Sequence, residues 1–82
     1  MNDKHYHTAP RPGLIREGKF IRDTRRALGL SQVDLAQRLG TSQSKLSKIE
    51  KGIIQIGIRE WFLFCKVTGI PVVRYWEFFV QA

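Results

Sequence analysis

The chain has little of what staples or anchors a small protein. Its 82 residues contain one cysteine, Cys65. One cysteine excludes an internal disulfide and a cysteine-built zinc site, and inside so apolar a segment it reads as a small buried hydrophobe. No apolar run approaches the roughly 18 residues of a membrane span. The first thirteen residues, MNDKHYHTAPRPG, lack the apolar stretch of a secretory signal, so a cytoplasmic protein is expected. Acids are scarce as well: 7 Asp and Glu stand against 14 Lys and Arg, a net charge of +7. That excess points to an anionic partner, nucleic acid or less often an acidic membrane surface. No nucleophile–base pair, carboxylate pair, phosphate loop or metal spacing is visible, so neither an enzyme nor a metal or cofactor site is expected. His5 and His7 stand without further ligands and read as part of a solvated tail.

A hydrophobic fraction of 43 % suits a globular chain, and the length suits one domain. A chain this short buries only about 60 % of its unfolded surface, so dimerisation would help it. Residues 1–13, with Pro10, Pro12 and Gly13, read as a flexible arm ending in a stiff bend. Within it, Lys4 and Arg11 belong either to a free tail or to an arm lying in a minor groove. Residues 14–82 form the domain.

The periodicity predicts five helices and no strand. The first begins near Leu14 or Gly18 and reaches Leu28, with Ile21 and Leu28 inward, Thr24 between them, and Gly29 as the stop. Ser31 opens the second, with Asp34 three residues on as in a capping box; Leu35, Ala36 and Leu39 form its inner stripe, and Gly40 ends it. Thr41 or Ser42 caps the third, which ends at Gly52. The fourth is placed at Ile58–Thr68 with Ile58, Trp61, Phe62 and Cys65 on one face as core. Pro71 starts a short fifth helix, VVRYWEFFV.

Residues 30–50 are the informative part: two short helices across a glycine turn. At about 100° per residue, Leu46 and Ile49 share one face of the third helix. Ser44, Ser47, Lys48 and Lys51 share the other, with Gln43 at its edge. A rod held by one face and polar on the other fits a major groove, where base edges display a readable donor and acceptor pattern. Gln suits adenine N6 and N7, Lys suits guanine O6 or N7, and Ser serves either. Gln43, Ser44, Ser47 and Lys48 are therefore the expected base contacts. Phosphates need a separate set of donors. Gln32, in the first turn of the second helix, has free backbone N–H groups beside it; Arg22, Arg26, Arg38, Lys45 and Lys51 complete that set.

The run LGLSQVDLAQRLGTSQSKLSKIEKG, with RRALGLSQ, LAQRLG, TSQS and KIEKG at this spacing, resembles the lambda-repressor-like (Cro/repressor-type, XRE) helix-turn-helix family over about Gly18–Trp76. The resemblance implies an all-α, compact five-helix domain, with the helix-turn-helix proper at 31–51, binding double-stranded operator DNA as a two-fold homodimer. It implies base contacts at Gln43, Ser44 and Lys48, a phosphate clamp at Gln32, and an ion pair between Arg25 and Glu50. Two places depart from the family pattern. The loop after Gly52 carries Ile53, Ile54 and Ile56 where polar residues are usual, and the end of the chain is rich in aromatics. Ile54, Ile56, Trp76, Phe78 and Phe79 are therefore the expected dimer interface. A transcriptional repressor is the leading expectation. An antitoxin that binds a toxin protein through the 53–57 loop and the C-terminal helix, or a protein-interaction module without DNA binding, are the rivals.

Overall fold

A computed structural model describes residues 9–77. Four helices, α1 (Pro12–Ala27), α2 (Gln32–Leu39), α3 (Gln43–Glu50) and α4 (Ile58–Thr68), are followed by a 3-10 turn over Val72–Tyr75. No strand occurs among the described residues. The all-α expectation holds, with a 3-10 turn in the place given to the fifth helix.

The N-terminal boundary moves earlier than expected. Pro12 stands in the first turn of α1, where a missing N–H costs nothing and the fixed φ favours the helix. The Arg11 N–H meanwhile donates to the Gly52 carbonyl at 3.0 Å, tying the start of α1 to the end of α3. Gly18 is therefore an interior residue of α1 and not its start. A Cβ built there would lie 2.3 Å from the Ile49 carbonyl oxygen and 2.6 Å from that of Glu50, so only glycine lets α1 and α3 approach this closely.

Ser31 caps α2 as expected. Its hydroxyl accepts the Asp34 N–H at 3.0 Å, and the Asp34 carboxylate accepts the Ser31 N–H at 3.3 Å. The turn into α3 rests on Gly40 at φ +68°, a left-handed angle that costs glycine little. There the Thr41 N–H reaches the Ala36 carbonyl at 2.9 Å, and Ser42 then caps α3 through the Lys45 N–H at 3.1 Å.

The core joins Ile21, Leu35, Ala36, Leu39, Leu46, Ile49, Ile56, Trp61, Phe64 and Cys65. Each fully buried large side chain among them contributes roughly 1.5–3 kcal/mol relative to exposure. Leu28 departs from its expected inward place: it caps α1 beyond the last turn and is half exposed. The inner stripe of α4 is rotated from the expected one. Trp61, Phe64 and Cys65 are buried, whereas Ile58 and Phe62 are 65 % and 49 % exposed. The sequence WFLFC is apolar in almost every register, so period alone does not select the buried face. Trp61 stacks on Phe64 at 5.5 Å and donates its indole N–H to the Val72 carbonyl at 2.9 Å, which fastens the C-terminal turn. Pro71 stands in extended conformation as the N-cap of that 3-10 helix, one residue ahead of the first helical position expected for it, and residues 76 and 77 continue as helix.

Candidate nucleic-acid interface

The polar face of α3 lies opposite its anchors. Leu46 and Ile49 are fully buried, Gln43, Ser44, Lys48 and Lys51 are exposed, and Ser47 is half-buried. Gln32, Gln43, Ser44, Ser47, Lys48 and Lys51 line one shallow groove. The expected base contacts are thus gathered beside two of the expected phosphate contacts.

A chain of hydrogen bonds sets this face from within. Arg25 of α1 and Glu50 of α3, 7 % and 4 % exposed, form a bidentate pair at 2.7 and 3.0 Å. The remaining Arg25 nitrogen donates to the Leu30 carbonyl at 2.9 Å. The Glu50 hydrogen bond raises the Arg25 pKa above its ordinary value, so the cation is permanent. Gln32 then donates its amide to Glu50 at 3.0 Å, and Gln43 donates to Gln32 at 3.5 Å, the long limit of such a contact. One buried carboxylate therefore orients the first residue of α2, and through it the first residue of α3. The pair implied by the resemblance is present; its extension to Gln32 and Gln43 was not visible in the sequence.

Other expected contacts lie away from the groove. The Lys45 ammonium pairs with Glu60 of α4 at 2.9 Å, on the side of α3 that meets Gly57 and Leu63. Burial of Glu60 opposes its charge, yet Lys45 and the Gly57 N–H together hold its pKa below the usual carboxylate range. Arg22 is half-buried with its Nε 3.8 Å from Asp23, while Arg26 and Arg38 are exposed on α1 and α2. Arg11 is exposed at the head of α1.

The expected dimer residues divide. Ile56 is 1 % exposed and belongs to the core: its N–H is held by Glu17, so it offers nothing to a partner. Ile54 is half-buried against the same core. Trp76 is 66 % exposed, and Phe78 and Phe79 lie outside the described residues. The exposed apolar surface centres instead on a groove of about 210 Å³ lined by Ile58, Trp61, Phe62, Val72, Val73, Tyr75 and Trp76. Sequence reasoning assigned Ile58 and Phe62 to the core and missed this surface. It also missed the buried Glu17; the hint was an acid between Leu14 and Ile21, on the inner face of α1.

Among the described residues no three of His, Cys, Asp and Glu gather as a metal site, and no helix is long and apolar enough to cross a membrane.

The sequence model of the helix-turn-helix family matches residues 21–74. An uncharacterized HTH-type transcriptional regulator of Sinorhizobium medicae (strain WSM419) is 32 % identical over 68 residues. A second protein of that description, from Rhizobium meliloti (strain 1021), matches equally well. Each match covers 83 % of this chain and 49 % of the relative, so the chain spans about half the length of the curated relatives it matches.

Proposed function

The chain belongs to the helix-turn-helix family, and from that premise we propose that it is a sequence-specific DNA-binding transcriptional regulator, a cytoplasmic repressor acting as a homodimer. The observation that carries this reading is the polar face of exposed Gln43, Ser44 and Lys48 with half-buried Ser47, on a helix anchored from behind by Leu46 and Ile49. α3 enters the major groove N-terminus first, the end that carries Gln43 and Ser44. Gln43 reads adenine, Lys48 reads guanine, and the two serines, being short, bring the helix close to the base edges. Gln32 and the N–H groups around it meet a phosphate, Lys51 a second, and Arg22, Arg26 and Arg38 extend the positive field along the backbone. Lys45 serves the fold through Glu60 before it serves DNA.

Two copies related by a two-fold axis place their α3 helices about 34 Å apart, one turn of the duplex, on a near-palindromic operator. The self-association surface is the Ile58–Phe62–Val72–Val73–Trp76 groove, with Ile54 and Ile56 left out. Selection of bound fragments from random DNA tests this reading: two inverted half-sites one helical turn apart are expected. Gln43→Ala is expected to lose about 1–3 kcal/mol at the selected site and to relax preference at one base pair. An equal loss on selected and random DNA would show that Gln43 does not read a base. The same apolar groove supports a second reading, an antitoxin that binds a toxin protein there; a stable heterocomplex in place of a homodimer would favour it.

A further inference from the structure

Glu17 is the one acid of the inner face of α1, and it is 1 % exposed. Its Oε1 accepts the Ile56 N–H at 2.9 Å, whereas its Oε2 is buried with no hydrogen-bond partner among the described residues. The loop it grips leaves α3 and leads into α4. The C-terminal turn closes on the same place: the Tyr75 hydroxyl donates to the Ile56 carbonyl at 3.4 Å and accepts from Gln55 at 2.7 Å. Tyr75 also packs its ring against Trp61 at 5.1 Å. One carboxyl group thus sits beneath both the 53–57 loop and the turn that carries the apolar groove.

The charged groups of the surrounding elements are engaged elsewhere. Arg25 is bound to Glu50, Lys45 to Glu60, and Arg74 to Glu77 while it covers the Phe20 ring. Arg22 lies 3.8 Å from Asp23 with its buried Nε making no hydrogen bond among the described residues, and the other basic residues of α1, α3 and α4 are exposed. In α4 the Cys65 thiol is pushed up by burial and stays neutral. Tyr75 is the ionisable group that senses Glu17: burial raises its pKa, the Gln55 hydrogen bond lowers it, and the Glu17 charge raises it further. Among the described residues, a charge at Glu17 therefore meets one backbone N–H and no cation.

We propose that Glu17 is a proton-controlled latch, which as a neutral acid docks the 53–57 loop and the Val72–Tyr75 turn on α1, and as a carboxylate loosens them. Burial pushes its pKa from an ordinary 4.5 to about 7, against the Ile56 N–H, which pulls it down. The unfolded chain then releases this proton near pH 4.5 and the folded chain near pH 7. Between those values the folded state holds the extra proton, so the folding constant falls by up to about tenfold per pH unit and levels off above pH 7. Asp23, Asp34 and Glu60, all held below their ordinary values, act at lower pH and with the opposite sign. The latch stands whether or not the chain binds DNA.

The test uses the full chain at fixed concentration. Urea unfolding at pH 5, 6, 7 and 8 is compared between the wild type and Glu17→Gln, whose amide oxygen still accepts the Ile56 N–H without a charge. The wild-type folding constant is expected to fall at least tenfold from pH 5 to pH 8 relative to Glu17→Gln, with a parallel loss of hydrogen-exchange protection at the Ile56 amide. Every other ionisable group is common to the two proteins, so the difference in slope isolates residue 17. Equal pH slopes would overturn the proposal. If Glu17→Gln does not fold, the Glu17 carboxyl carbon shift in the wild type decides: a midpoint near 7 supports the latch, and one below 5 refutes it.

Discussion

Removing one member of the Arg25–Glu50 pair should cost far more than loss of a surface ion pair. Consider Glu50→Gln. The side chain keeps its shape and one acceptor oxygen, but Arg25, 7 % exposed, loses its counter-charge and faces an amide N–H₂. Its hydrogen bond to the Leu30 carbonyl remains and limits the damage. Breaking a buried pair on one side costs about 3–5 kcal/mol, whereas exposed pairs contribute about 0–1 kcal/mol. A chain of this length is expected to have a total stability of about 4–12 kcal/mol, so the outcome runs from an unfolded variant at the low end to one that keeps roughly three quarters of its stability at the high end. Urea unfolding followed by circular dichroism at one protomer concentration measures the loss as a shift in midpoint. The companion variant Arg25→Met/Glu50→Leu separates folding from function. It replaces both charges with apolar groups of similar volume and should recover most of the stability, or exceed it. It should not recover operator binding, because the Gln32 amide no longer has the carboxylate that orients it. A loss of under about 1 kcal/mol for Glu50→Gln would refute the argument, since the pair would then behave as if it were solvated. Full operator affinity in the double variant would break the proposed link from Glu50 to the DNA face.

Two further perturbations probe the packing and the assembly. Gly18→Ala places a methyl group 2.3 Å from a backbone oxygen of α3, which cannot turn aside as a side chain can. It should cost about 1–3 kcal/mol or more despite the higher helix propensity of alanine, and a neutral or stabilising result in thermal unfolding would mean that α1 and α3 are not packed as described. Trp76→Ala and Phe62→Glu should shift sedimentation toward the monomer while leaving far-UV circular dichroism unchanged, since both side chains are about half exposed or more. An intact dimer in both variants would place the interface elsewhere.

The parts of this molecule that could be read from the sequence are those in which local chemistry and burial agree. Ser31 with Asp34, Gly40, and the Leu46–Ile49 stripe each carry a signal within a few residues, and each stands where it was expected. α3 was legible because only one of its faces is apolar. α4 was not, because Trp61, Phe62, Leu63, Phe64 and Cys65 offer an apolar side in almost any register; contacts with α2 and the C-terminal turn choose Phe64 over Phe62. The same limit explains Ile56, which reads as an exposed isoleucine although the carboxyl group of Glu17, 39 residues earlier, accepts its N–H. A loop full of isoleucine reads as sticky from the sequence, but one long-range hydrogen bond turns one of the three fully inward and leaves the other two half-buried. The exposed apolar surface then passes to Ile58, Phe62, Val73 and Trp76. Sequence periodicity locates helices and their polar faces, so it could find the candidate DNA face. The partner face depends on which of several equivalent apolar residues the core leaves outside, and that is settled only by packing.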